Sequence, residues 1–228
     1  MGGAMADDQR TARIFGVLFI ITFLTSISAV LLFQPVLDDP AGYIAGGGKD
    51  TQIYLGAFLE LLLIISNVGT AVVIYPIVRR QNEILAIGYV AARIIECVFI
   101  AAGIMFVLGV VSLRHDSPDA AGAAVALAAL KDWSFLFGPG LIVPFGNGLI
   151  LGYLMYRSGL VPRRMAWFGL VGGPLLLAGN IGVLFDLWDQ TSAVSILVAP
   201  EFIWEAFLGI YCAVWGFRRD SPILSREP

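Results

Sequence analysis

The chain is poor in the side chains that most enzymes rely on: its 228 residues include one histidine, His115, and two cysteines, Cys97 and Cys212. A single histidine excludes paired-histidine haem ligation within the chain and a histidine-rich zinc hydrolase. The cysteines fall inside long apolar runs, where small buried thiols are ordinary, and they form neither a disulfide framework nor a redox motif. There is no phosphate loop with its lysine, no dinucleotide fingerprint in a suitable fold and no serine nucleophile elbow. No cofactor and no metal are therefore expected. Charge is scarce too: 14% of residues are charged and 58% hydrophobic, against about 25% charged in an ordinary soluble domain. A soluble fold cannot hide so much apolar surface.

What the chain has instead is six apolar runs, at about residues 14–33, 53–78, 84–113, 133–156, 165–185 and 194–217. Most match the roughly 20 residues that cross a bilayer as helix, and the longer ones can tilt. The expected fold is all-α, a polytopic integral membrane protein with six transmembrane helices in one membrane domain over residues 1–228. Residues 34–52 carry Pro35, Pro40, Gly46 to Gly48, Asp38, Asp39 and Asp50, and read as a polar connection. The 114–132 stretch begins Arg114, His115, Asp116, Ser117, Pro118. Pro118 and Asp119 are suited to open a short helix over 119–130, too short to span and expected to rest on the outer face. Arg10 and Arg13 before the first run imitate a signal peptide, but Ser28, Ala29 and Val30 make a poor cleavage site, so that run reads as the first crossing.

Charge placement sets the orientation. Arg10, Arg13, Arg79, Arg80, Arg157, Arg163, Arg164, Arg218, Arg219 and Arg226 fall on one side of the runs; Lys49, Arg114 and Lys131 fall on the other, with Asp38, Asp39, Asp50, Asp116, Asp119, Asp132, Asp186 and Asp189. The positive-inside rule then predicts both termini in the cytoplasm. These arginines are topology signals before they are nucleic-acid ligands, so membrane lipid is an expected partner and nucleic acid is not.

Against that pattern, Glu60, Arg93, Glu96, Glu201 and Glu205 sit inside the apolar runs. Charges in hydrocarbon need a shared, wet or ion-paired interior. Helical spacing gathers them: Glu60 and Asn67 are two turns apart on one face, Arg93 and Glu96 three residues apart, Glu201 and Glu205 four. By depth Arg93, Glu96 and Glu205 can meet, while Glu60 and Glu201 lie nearer the outer side, as a second layer or the mouth of a cavity. Asn147 lies near the middle of the fourth helix. One glutamate is expected to pair with Arg93. The site candidates are Arg93, Glu96, Glu205, Glu60, Glu201, Asn67 and Asn147.

Breaks in the helices bear on the same site. Pro144 frees a backbone carbonyl at Gly140, beside Asn147, where it could coordinate a cation or bind a ligand. Gly140, Pro144, Gly148 and Gly152 also form a small-residue stripe suited to close helix packing, the favoured reading of the glycines. Pro200 in the first turn of the sixth helix would place Glu201 at a helix N-terminus.

Arg13 to Thr22 (RIFGVLFIIT), Gly88 to Glu96 (GYVAARIIE), Leu154 to Gly173 (LMYRSGLVPRRMAWFGLVGG) and Pro200 to Phe217 (PEFIWEAFLGIYCAVWGF) together resemble the bacterial domain-of-unknown-function family 4386. Arg93, Glu96, Arg157, Pro162 and Glu205 match that family's pattern. The resemblance implies a multi-helix membrane protein of the bacterial cytoplasmic (inner) membrane whose activity is unassigned. The residues themselves lead to proton- or cation-linked transport or sensing of a small solute through the Glu/Arg cluster. In that reading Arg93 holds one carboxylate ionised or binds an anionic group. One alternative is a structural, ligand-binding or assembly membrane protein in which the charges lock helices together, with a homodimer or membrane partner on the glycine-rich faces. The other is a carboxylate-dependent intramembrane enzyme, for which no nucleophile can be chosen.

Overall fold

The computed structural model describes residues 2–117, 119–188 and 194–224. Among them the regular structure is helical throughout: α1 (Gly2–Asp38), α2 (Asp50–Val78), α3 (Glu83–Asp116), α4 (Ala121–Ser158), α5 (Arg163–Leu184) and α6 (Ala199–Val214). Short helical turns at Pro40–Gly42, Tyr43–Gly47 and Val194–Leu197 join them. Five helices, α1 to α5, are long and apolar enough to cross a membrane, with mean hydropathy of 1.6 to 2.7 over their best windows. The sixth has 16 residues, fewer than the roughly 20 a straight crossing takes. Pro118, Asp189 and Arg226, each used above, lie outside the described residues.

Local chemistry explains most boundaries. The Asn82 side chain accepts from the Leu85 N–H at 3.0 Å and Glu83 occupies the first turn of α3, which satisfies an orphan donor and complements the helix dipole. Asp39 does the same for the Pro40–Gly42 turn through the Gly42 N–H at 2.9 Å. Gly159, at φ 68°, stops α4 in the left-handed conformation that glycine adopts freely. The expected boundary inside the 114–132 stretch does not exist. The alanine-rich segment and the fourth run form one continuous helix from Ala121, because nothing between residues 121 and 133 breaks a helix and Lys131 turns inward rather than to solvent.

Each helix packs on its neighbours in sequence, and α6 returns to α1, so the six close into a ring. The α1–α6 seam is tight enough that a Cβ on Gly16 would fall 2.2 Å from the Ala213 nitrogen. One end of the ring gathers the start of α1, the end of α2, the α4–α5 turn and the end of α6. There Arg80 pairs with Asp8 at 3.0 Å, Gln9 donates to the Phe217 carbonyl, and Ser221 donates to the Ser158 carbonyl. Also at that end, a hydrogen bond from Arg218 holds the Asp220 carboxyl below its ordinary pKa. The opposite end is tied by Arg114 and His115, which meet Asp50 at 2.6 and 2.7 Å. Tyr43 donates to the same carboxylate, and burial followed by that hydrogen bond pushes its hydroxyl up to about 12. Two apolar clusters, one toward each end, leave a polar space between them.

Candidate binding site: a polar cavity inside the ring

A cavity of about 500 Å³ lies within the ring, displaced toward the Asp50 end, and takes wall residues from all six helices. Glu60, Asn67, Arg93, Glu96, Asn147, Glu201 and Glu205 all line it. The rest of the wall is mostly apolar, including Phe23, Ile27, Leu63, Phe135, Val143 and Phe202.

Within the cavity the charges divide into three groups. In the first, Arg93 donates to Glu96 at 2.7 Å and to the Asn67 carbonyl oxygen, while the Asn67 amide donates back to the other Glu96 oxygen at 2.9 Å. Arg93 also lies over the Phe19 ring, 5.7 Å from its centroid. This closed triangle links α2 to α3 and realises the expected pairing of Arg93 with one glutamate.

The second group joins Glu60 of α2 to Lys131 of α4 at 2.6 Å, with both side chains 8% exposed. By sequence Lys131 falls among the outer charges, and its partnership with Glu60 is not visible there. The available signal was Glu60 itself, a carboxylate in an apolar run with no basic residue within a turn on its own helix.

The third group is Glu201 and Glu205 of α6 with Asn147 of α4. Asn147 donates to Glu205, and Trp204 between them donates its ring N–H to the Asn147 carbonyl at 3.0 Å. Glu201 is 2% exposed, and neither of its carboxyl oxygens has a hydrogen-bond partner. Arg93 and Lys131 are committed elsewhere, so this pair of carboxyls has no basic partner among the described residues. Glu205 therefore does not join the Arg93–Glu96 contact, although Arg93 is near enough to act on it through space.

Glycine lets α6 approach this closely. A Cβ on Gly148 would fall 2.6 Å from the Gly173 Cα and 2.8 Å from a Glu201 oxygen; one on Gly172 would fall 2.6 Å from the Glu201 nitrogen. The glycine faces are thus occupied by contacts within the chain, and a homodimer would have to use others. The distortions of α4 serve the same region. Wide turns at Leu136–Gly140 and Pro144–Leu151, in which hydrogen bonds reach five residues back, are the kind of helix irregularity that clusters at functional sites. The Gly140 carbonyl released by Pro144 is not open to a ligand, because the Asn180 amide donates to it at 2.6 Å.

The hydrogen-bond inventory of the wall is lopsided. The amides of Asn67, Asn147 and Asn180 and both terminal nitrogens of Arg93 donate to protein acceptors, and Thr22 and Ser26 donate to the Phe19 and Phe23 carbonyls. Among the described residues, the unpartnered buried atoms on the wall are Glu60 Oε2, Asn147 Oδ1, Glu201 Oε1 and Oε2, and a single donor, Arg93 Nε. No group of three or more metal-ligating side chains with the spacing for a metal ion occurs among the described residues.

A family model described as Domain of unknown function (DUF4386) matches residues 14–216. Neither a curated protein nor a solved structure matches the chain.

Proposed function

The chain belongs to the DUF4386 family of unassigned function, and we propose that it is a six-crossing protein of the bacterial inner membrane, with both termini cytoplasmic. In this reading its central cavity handles a small solute in exchange for a proton or small cation. The observation that carries it is the Glu201–Glu205 pair, two adjacent carboxyls on a cavity wall with every nearby base already taken. Charge of one sign in a membrane interior has to be balanced, and a pair balanced by something exchangeable is what ion-linked handling of a solute needs. Orientation rests on the arginines at the Arg80 end, which the positive-inside rule assigns to the cytoplasm.

A second reading applies to part of the cluster. The Arg93–Glu96–Asn67 triangle is nearly satisfied internally, which favours a helix lock rather than a moving charge. We therefore assign α2–α3 locking to that triangle and exchange to α6.

The test is uptake into proteoliposomes of purified protein, across a solute panel, with and without an imposed pH gradient. Gradient-dependent uptake that falls in folded Glu205→Gln and Glu201→Gln variants is expected. Unchanged uptake in both variants would count against the mechanism, and a chemically altered product without net movement would move the case to an enzyme.

A further inference from the structure

We propose that the solute is an organic cation, a protonated amine on a compact apolar or aromatic body, bound with its ammonium at Glu205, Glu201 and Asn147. The inference rests on the cavity reading above and adds the ligand's chemical class.

Three features of the wall lead to it. First, its donors are committed to the protein, while Glu201 and Asn147 keep unpartnered oxygens. A ligand carboxylate or phosphate would meet acceptors and like charge, whereas an ammonium, which only donates, supplies what these oxygens lack. Second, Arg93, the one cation that could have drawn an anion, is 3% exposed and already held by Glu96 and Asn67. Its unpartnered Nε belongs to a guanidinium enclosed between that pair and Phe19. Third, the remainder of the wall is apolar, and Phe23 and Phe202 stand together at 4.9 Å between ring centroids. Aromatic rings on the same wall as the carboxyls suit an organic cation, whose apolar body they can cover and whose charge a ring can attract. A cavity of about 500 Å³ is in the range that encloses a small organic molecule.

Glu201 and Glu205 share the work unequally. Glu205 is half-buried and borders the open space, so it makes the first contact. Glu201, 2% exposed and packed against Gly148, supplies the second negative charge.

The experiment is calorimetric titration of the full chain in lipid nanodiscs with 2-phenylethylammonium, 2-phenylethanol and phenylacetate, after subtraction of empty nanodiscs. Saturable binding of the ammonium alone is expected, weakened about tenfold or more by Glu205→Gln, as for loss of a charged hydrogen-bond partner. Thermal unfolding of each variant establishes that it is folded, and Glu201→Gln provides a second loss of charge beside an intact Glu205. Binding of the alcohol as tight as the ammonium, or ammonium binding untouched in both folded variants, overturns the inference. Preferential binding of phenylacetate overturns it too but leaves a solute-binding cavity standing. No binding by any of the three overturns the inference and removes support for the cavity reading as well.

Discussion

Arg93 and Glu96 illustrate why a buried ion pair is better judged by what its removal leaves than by its presence. The pair is enclosed, with side chains 3% and 5% exposed, so its Coulomb attraction is set against the desolvation of both groups. Arg93→Met leaves Glu96 buried without its ion-pair partner and is expected to cost about 3–5 kcal/mol of stability. Arg93→Met with Glu96→Gln removes the charge and keeps an acceptor for the Asn67 amide, so it should recover most of that loss. Reversible unfolding of the four proteins of this cycle in mixed micelles measures the coupling; a double variant as unstable as Arg93→Met alone would contradict the lock. The Arg93–Glu96 pairing is legible from the sequence because spacing on α3 brings the two together, whereas depth groups Glu205 with them and it is Asn67 that closes the triangle. Lys131 is not legible as a partner. It sits where an alanine-rich segment meets a longer apolar run, and counting the two separately left it at an edge, whereas only the three-dimensional approach of α2 to α4 reveals Glu60 as its partner.

At the scale of the element, α6 is the helix whose position decides the site. It is the shortest of the six and carries both unpaired carboxyls, and it is seated by glycines on three other helices: Gly16 of α1, Gly148 of α4, and Gly169 and Gly172 of α5. Gly172→Ala puts a methyl against backbone that cannot yield cheaply and is expected to destabilise by about 1–3 kcal/mol, with weakened solute binding because Glu201 moves with α6. Gly122→Ala, where nothing lies within 4 Å, should be neutral or stabilising by up to about 1 kcal/mol through helix propensity. Equal effects of the two alanines on unfolding would mean that α6 is not held by this contact. The glycine stripe was readable as a packing device, as was the pairing of Glu201 with Glu205 by helical spacing. Unreadable was the fate of the Gly140 carbonyl, since its partner Asn180 is 40 residues away on another helix. The start of α4 was misread because Pro118 looked like the opening of a separate short helix, whereas Ala121 begins the long one.

For the whole molecule, alternation of the helices places the arginines of four chain segments at one end and the Asp50–Arg114–His115 cluster at the other. Alternation of the apolar runs predicts that separation apart from Lys131, which turns inward to Glu60, and the ring order adds that α6 returns beside α1. Impermeant maleimide tests the orientation after Cys97 and Cys212 are replaced: Ala45→Cys should label from outside intact cells, and Arg164→Cys only after permeabilisation. The reverse pattern would invert the protein, and labelling of both from outside would reduce the number of crossings.

In the proposed mechanism the Glu201–Glu205 pair exchanges its balancing charge when a solute binds. The most direct measurement counts that charge, as protons or alkali cations released into weakly buffered medium when nanodisc-embedded protein is saturated with 2-phenylethylammonium. Release of about one positive charge per bound solute is predicted, because two balancing charges already neutralise the two carboxyls and a third beside them would over-balance the pair, and release should fall in folded Glu205→Gln and Glu201→Gln. Binding without release, or the same release from both variants, would contradict it.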